Sequence, residues 1–311
     1  MTLDLIIPHY KEPWLTGKPF FDMLSCQRGI DFNNLKVILV HDGQPLFPKE
    51  YFADYPYKVE QYGIQHAGVS AARNRGLKIS NADWVGFCDF DDTFTNIYAL
   101  RQIMPHMTGN RDYIWTKFFI EFERNNDLAF MEKGENIIWV HGKYFRRQWL
   151  IDNGIVFPEG IHYSEDSAFC AIVHELAKPD RRGEVKTEFP VYSWVFRSDS
   201  VSVDPANKAK NLTGFIARNE YVVEEFKRRG IPHVNMVGRL FADAYWAFHQ
   251  KNVKYPEEEK RFIEMSRKHF ADFDKVDYDV IPAILNAAHG AFFRKEMDTS
   301  ETFEAWMKRI R

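Results

Sequence analysis

The chain has little cysteine: only Cys26, Cys88 and Cys170 among 311 residues. An odd set of scattered thiols in apolar surroundings, with no CxxC spacing, excludes a disulfide framework and a cysteine-based zinc site and reads as reduced packing residues. Long apolar runs are missing as well. No stretch approaches the roughly 18 residues that a membrane span needs, and the opening MTLDLIIPHY has no basic n-region of a secretory leader. The expectation is a soluble, cytoplasmic protein. Charge of one sign is also absent: 41 basic and 44 acidic residues leave a net charge of -3, mixed along the sequence, so no overall field draws the chain to nucleic acid or anionic lipid. Neither GxxxxGK[ST] nor GxGxxG follows the first apolar run, which argues against P-loop and Rossmann dinucleotide sites. Internal repeats and low-complexity tracts are missing too.

What is there is an alternation. With 45% hydrophobic residues the chain can build one large domain with an appendage. Short β-rich runs at Leu3 to Pro8, Leu35 to Gly43, Tyr57 to Gly63 and Asp83 to Asp89 are separated by helical patterns, among them GVSAARNRGLKIS from Gly68 to Ser80. That order predicts an α/β fold with a parallel sheet flanked by helices. From Arg111 the pattern is mixed. YIWTKFFIEF, NIIWVHG and EVKTEFPVYSWVFR read as strands, KYFRRQWLIDNG and SEDSAFCAIVHELAK as helices. Beyond Pro205 apolar residues recur only at helical spacing, as in Val237, Leu240, Phe241, Ala244 and Phe248, in Ile284, Leu285, Ala288 and Phe292, and in Phe303, Trp306, Met307 and Ile310. The expected domains are residues 1–204, with halves 1–110 and 111–204, and an all-helical region 205–311 whose stripes read first as core. Dimer contact and membrane docking are the other uses of such faces.

DWVGFCDFDDTF closes an apolar run with Asp89, Asp91 and Asp92. Three carboxylates so close are costly unless a cation neutralises them, and a short Asp-x-Asp spacing suits Mg²⁺ or Mn²⁺ completed by substrate phosphates. Asp92 can instead be a helix N-cap. Asp42 also ends an apolar run, and in open α/β sheets the carboxyl edge of the strands is where ligands bind. The helix start from Gly68 to Arg73 adds a site suited to phosphate, with a forked guanidinium. Glu165 and Asp166 open a later helix; they either cap it or supply a general base. His141, His162 and His174 lack zinc-ligand spacing and read as structural or acceptor-groove residues.

These segments resemble the family 2 glycosyltransferases of GT-A fold. LIIPHYKE is similar to the family's opening strand and turn, with His9 and Lys11 in place of Thr and Asn. VILVHDGQP is similar to the Val-Asp-Asp-Gly-Ser segment, with His41 for the first Asp and Gln44 for Ser. GVSAARNRGLKISNADWVGFCDFDD follows the pattern Gly-x-Ser-x-Ala-Arg-Asn, helix, strand and Asp-x-Asp-Asp. WVHGKYFRRQWLIDNGIVFPEGIHYSED and YSWVFRSDSVS resemble the stretch leading to the Glu-Asp motif and the segment after it. The resemblance implies an inverting transfer of a sugar from a nucleotide diphosphate, with UDP as the expected carrier. By position, Pro8, His9, Tyr10 and Asp42 would contact the nucleotide, Asp89 the ribose or a metal-bound water, and Asp91 a Mn²⁺ or Mg²⁺ ion. Asp166 would be the catalytic base with Glu165 beside it, Arg73 a diphosphate ligand and Arg197 part of a closing loop. The implied acceptor is a saccharide or lipid-linked saccharide, with the enzyme free in the cytoplasm or peripheral at the inner membrane face.

Other readings compete. A phage-type transferase acting on a hydroxymethylated DNA base in a host cytoplasm would use basic pairs such as Arg146 and Arg147. A metal-dependent nucleotidyltransferase would release pyrophosphate in place of UDP, and a non-catalytic sugar-binding module would do neither. The C-terminal helices also suit a homo-oligomer contact.

Overall fold

The computed structural model describes the whole chain except residues 125–126, 135–137, 162, 196–207, 252–253, 278–280, 282–297 and 299. In chain order the strands are β1 (Leu3–His9), β2 (Leu35–Asp42), β3 (Lys58–Ile64), β4 (Trp84–Phe87), β5 (Thr93–Phe94), β6 (Tyr113–Trp115), β7 (Phe118–Arg124), β8 (Asp127–Lys133), β9 (Lys143–Arg146), β10 (Arg182–Glu184) and β11 (Tyr192–Val195). β1 and β2 are buried along almost their whole length, as strands covered on both faces must be, and they are interior strands of a seven-stranded sheet ordered β10-β6-β9-β4-β1-β2-β3. The β4-β1-β2-β3 half is parallel in register, Leu3 opposite Leu35 and Trp84, and Lys36 opposite Lys58. β9 alone of the seven runs against its neighbours β4 and β6. A second sheet is ordered β5-β11-β7-β8.

Helices α1 (Trp14–Ser25) and α2 (Val69–Ile79) fall between the parallel strands. The closeness of α2 to the sheet follows from Gly76: a Cβ there would run into the Ile6 Cγ2 atom of β1. Downstream come α3 (Ala99–Ile103), α4 (Arg147–Asp152) and α5 (Glu165–Leu176).

The stretch from Asn136 to Gly154 departs from expectation. Asn136 and Ile137 lie outside the described residues, and Ile138 to Gly142 form no strand. The strand begins later, at Lys143, inside the predicted helix, of which only Arg147–Asp152 is helical. Gly142, at φ +67 with Thr116 O only 2.9 Å from where a Cβ would sit, turns the chain into β9. Lys143, Tyr144 and Phe145 are then all buried, so sheet burial overrides their helical spacing.

The chain divides into two compact units, Met1–Val203 and Asp204–Arg311. The second is helical throughout its described elements: α6 (Lys208–Arg229), α7 (Val234–Phe248), α8 (Pro256–Ser266), α9 (Phe270–Phe273) and a last helix, Phe303–Ile310. Its stripes are core, with Leu240, Phe241, Ala244, Phe303, Trp306 and Ile310 in one buried cluster. The stripe from Ile284 to Phe292 lies outside the described residues. Among the described residues no helix is long and apolar enough to cross a membrane.

Gly76→Val is expected to lower the unfolding free energy by about 1 to 3 kcal/mol, the usual cost of overpacking. A urea midpoint equal to that of the parent chain would contradict this packing of α2 on β1.

Candidate active site

Because β1, β2 and β4 are parallel, their carboxyl ends lie along one edge of the sheet, which gathers Pro8 and His9, His41 and Asp42, and the segment from Cys88 to Asp92. The antiparallel β9 starts at that same edge, so His141, two residues before it, arrives there too.

Arg73 organises this edge. It projects from α2 and is only 3% exposed. Its Nη2 donates to Asp89 Oδ1 at 2.8 Å and its Nη1 to Glu165 Oε1 at 2.8 Å, while its guanidinium carbon lies 5.1 Å from the centroid of the Phe157 ring. The next residue, Asn74, donates to Phe157 O at 2.9 Å and accepts from Phe157 N at 2.8 Å. Adjacent positions of one helix thus fasten both the end of β4 and the segment that leads into α5. The diphosphate role implied for Arg73 meets a different set of partners here, two carboxylates of the chain itself.

The three aspartates after β4 have separate environments. Burial would raise the carboxyl of Asp89, but Arg73 and then His141 outweigh it and hold the group below its ordinary value. Asp92 is buried, accepting from Tyr192 Oη at 2.6 Å and from Val195 N at 3.0 Å. Burial, then the charges of Asp89 and Asp91, push its pKa well up. It caps no helix: α3 starts after Tyr98, so the N-cap alternative gives way to a buried carboxyl tied to β11. Tyr192 Oη also accepts from Asp89 N at 3.1 Å. Asp91 is half-buried on the same turn.

His141 stacks on Tyr192 and Trp194, with ring centroids 5.6 and 5.8 Å away. Its Nδ1 lies 3.6 Å from Asp92 Oδ2 and its Nε2 4.0 Å from Asp89 Oδ2. Burial pushes its pKa down to about 4, so the ring is neutral at neutral pH, and Nδ1 is buried with no hydrogen-bond partner among the described residues. Ligand atoms of Asp89, Asp92 and His141 all lie within 4.8 Å of one another. Two carboxylates and a neutral imidazole with an orphaned nitrogen fit a divalent ion such as Mn²⁺. The sequence expectation of Asp89 with Asp91 did not include His141 or Asp92.

Glu165 and Asp166 open α5 after Ser164, which adopts a left-handed φ of +64, a conformation costing about 1 kcal/mol for a residue with a Cβ. The two acids diverge. Glu165 is paired with Arg73, whereas Asp166 accepts from Ser167 N at 2.7 Å. Burial, followed by the neighbouring Glu165 charge, pushes the Asp166 pKa up to about 7 despite the opposing pull of Arg73. A carboxylate poised near neutrality suits general base work.

On the other side of the edge, Tyr10 is exposed and stacks on His66, with centroids 4.5 Å apart and planes at 10°. The buried Asp42 carboxylate accepts from Ala67 N at 2.7 Å, Gly68 N at 2.9 Å and His66 Nδ1 at 2.8 Å. Asp42 therefore fixes the turn before α2. Pro8 is half-buried, and His9 is buried against His41. Arg197 and His162 lie outside the described residues. His174 sits away from the acidic turn, 3.3 Å from Tyr113 Oη, a structural contact.

Replacing Arg73 by Met would leave Asp89 and Glu165 facing each other without the cation. Breaking such a pair at one partner costs about 3 kcal/mol, less where, as at Asp89, the side chain is 28% exposed. Chemical denaturation should show a loss of that order for Arg73→Met and little recovery with Arg73→Lys, whose single ammonium cannot fork; equal stability of all three would contradict the bridge.

The comparisons with known proteins agree with this architecture. The family model for glycosyl transferase family 2 matches residues 4–162. The minor teichoic acid biosynthesis protein GgaB of Bacillus subtilis is 39% identical over 296 residues, covering 84% of this chain and 31% of its own length. The uncharacterized glycosyltransferase EpsJ of Bacillus subtilis is 26% identical over 191 residues, 54% of each chain. The chain thus spans from about a third to about half of these relatives. In fold it is similar to S. aureus TarS 1-349 in complex with UDP, at TM-score 0.60 and 16% identity over 91% of this chain and 86% of that one. It is also similar to the mannosyltransferase PcManGT of Pyrobaculum calidifontis in complex with GDP-Man and Mn²⁺, at TM-score 0.54 and 12% identity over 99% and 83%. With the GT-A-like mixed sheet, the acidic turn after β4 and the family match together, the chain belongs to glycosyl transferase family 2.

Proposed function

We propose that the chain transfers a sugar, with inversion, from a nucleoside diphosphate to an acceptor hydroxyl, and that Asp166 is the base. The observation that carries this is the Arg73 bridge, which ties the acidic turn after β4 to the start of α5. The carboxylates suited to a cation and the carboxylate suited to a proton are thereby held at one edge of the sheet.

Asp89, with Asp91, Asp92 and His141 around it, would hold a divalent ion. When bound, that ion supplies a positive charge to a departing diphosphate. The residues of the chain do the rest. Tyr10, exposed and stacked on His66, offers an aromatic face to a base, and Asp42 keeps the 66–68 turn in place beneath it. Asp166 takes the proton of the acceptor hydroxyl as its oxygen bonds to the sugar C1 and the C1–O bond to the diphosphate breaks. Glu165 is spent on Arg73 and is a positioning residue.

UDP-sugar is the proposed donor, in keeping with TarS, which shares the fold and was solved with UDP. A saccharide or lipid-linked saccharide on the cytoplasmic side is the proposed acceptor, and the similarity to GgaB, named for minor teichoic acid biosynthesis, favours a cell-surface polymer.

A panel of nucleotide sugars incubated with and without Mn²⁺ tests this reading. Metal-dependent release of UDP from one of them supports it, and release of pyrophosphate would overturn it. With the active donor, kcat/KM should rise about tenfold per pH unit below pH 7 and level off above it, following deprotonation of Asp166. Asp166→Asn should lose about 10²- to 10⁴-fold in turnover while UDP still binds. Full turnover by that variant would refute its role as base.

A further inference from the structure

His9 and His41 face each other at the ends of β1 and β2, where the register pairs them. Both are buried, at 4% and 0% exposure. Their Nδ1 atoms are 2.9 Å apart. Each ring has a second contact: His9 Nε2 lies 2.8 Å from Glu12 O, and His41 Nε2 lies 2.9 Å from Gln61 Oε1. A backbone carbonyl can only accept. The Gln61 amide is oriented independently, because its Oε1 accepts from Phe47 N at 2.9 Å and its Nε2 donates to Phe47 O at 3.0 Å. Both ends of the chain of contacts are therefore acceptors, and both outer ring nitrogens must carry protons.

Two neutral imidazoles hold two protons in total. With both on the outer nitrogens, the two Nδ1 atoms would meet lone pair to lone pair at hydrogen-bond distance, a buried repulsion. A third proton between the rings removes the conflict. It gives the pair one positive charge.

We propose that His9 and His41 share three N–H protons, and that the resulting buried cation positions the turn that carries Tyr10 into the donor pocket. The second half rests on the function proposed above; the first does not. His41 is the neutral one, in keeping with burial and the adjacent His9 charge pushing its pKa down to about 4. Aromatic rings surround the cation: Phe47 lies 4.6 Å and Phe90 4.8 Å from the His9 ring, and such faces favour a positive charge. The other titratable or charged groups on the segments around the pair include Lys11 and Glu12 after β1, Asp42 on β2, Lys49, Glu50 and Tyr51 after Phe47, Glu60 and Tyr62 beside Gln61 on β3, His66 after β3, and Asp91 and the Arg73-paired Asp89 on either side of Phe90. α1 contributes Trp14, packed on Phe47 and Phe90, and Lys18, which is paired with Asp22. Through Glu12 O the charged His9 closes the turn over Tyr10 and Lys11, and the Glu12 side chain accepts from Tyr10 N at 2.9 Å.

The direct test counts protons. The full chain labelled with ¹⁵N-histidine at neutral pH should show, for these two rings, three protonated ring nitrogens and one bare one, with spectra of His9→Gln and His41→Gln giving the assignment. Two protonated nitrogens, one per ring, would overturn the proposal. UDP affinity with Mn²⁺, measured by calorimetry from pH 6 to pH 9, tests the positioning role. The parent chain should weaken at least fivefold as the third proton is lost. His41→Gln should show no such step, because a Gln amide can donate to His9 Nδ1 and satisfy a neutral ring. An identical step in both proteins would contradict the positioning role. If UDP does not bind the parent chain at all, the donor reading fails while the proton count still decides the charge of the pair.

Discussion

One guanidinium holds the site together. Arg73 reaches Asp89, 16 residues away in sequence, and Glu165, 92 residues away, with two short hydrogen bonds from opposite prongs of its fork. A buried arginine with one carboxylate would only balance its own desolvation. With two, it joins separate parts of the fold, and each part contributes its own chemistry. The turn after β4 holds the acids proposed for the cation and α5 holds the proposed base. Asn74 repeats the arrangement with the backbone of Phe157, so the helix start that a sequence reader assigns to phosphate also serves as the brace of the site.

The same bridge explains how neighbouring acids come to differ. Arg73 keeps Asp89 ionised and uses up Glu165. Asp166, next in sequence but without that partner, is left with burial and a negative neighbour, and its pKa rises to about 7. Asp92 goes further in the same direction, buried against Tyr192 and beside Asp89 and Asp91. Like charges repel at these distances, and the fold has answered the repulsion differently for each carboxylate. An ion pair, a hydrogen-bonded burial and a shifted proton equilibrium stand side by side within one edge of a sheet.

Much of this was legible in the residues because the signals were local. The apolar runs ending in Asp42 and Asp89 marked interior strands whose carboxyl ends share one edge, and the helical stripes of residues 237–248 and 303–310 marked a core of their own. What was not legible depended on partners distant in sequence. Asp92 looks like an N-cap in a string of polar residues, and only the fold shows Tyr192 and Val195 above it. His141 was placed on a strand of the wrong extent, and nothing local announces that β9 runs backwards and begins at the site. The hydrogen bonds that Asp42 accepts from the 66–68 turn come from residues more than 20 positions away and had no local signal. His9 and His41 were visible as departures from the family pattern, but their pairing needed the register of β1 on β2.

The central claim is that the turn after β4 binds a divalent ion at the edge that also carries Asp166. Anomalous diffraction from crystals grown with UDP and Mn²⁺ measures this most directly. The account predicts one manganese peak within coordination distance of Asp89 and of at least one of Asp91, Asp92 and His141, with the diphosphate on its open side. Bound UDP with its manganese elsewhere, or with no metal at this turn, would contradict it.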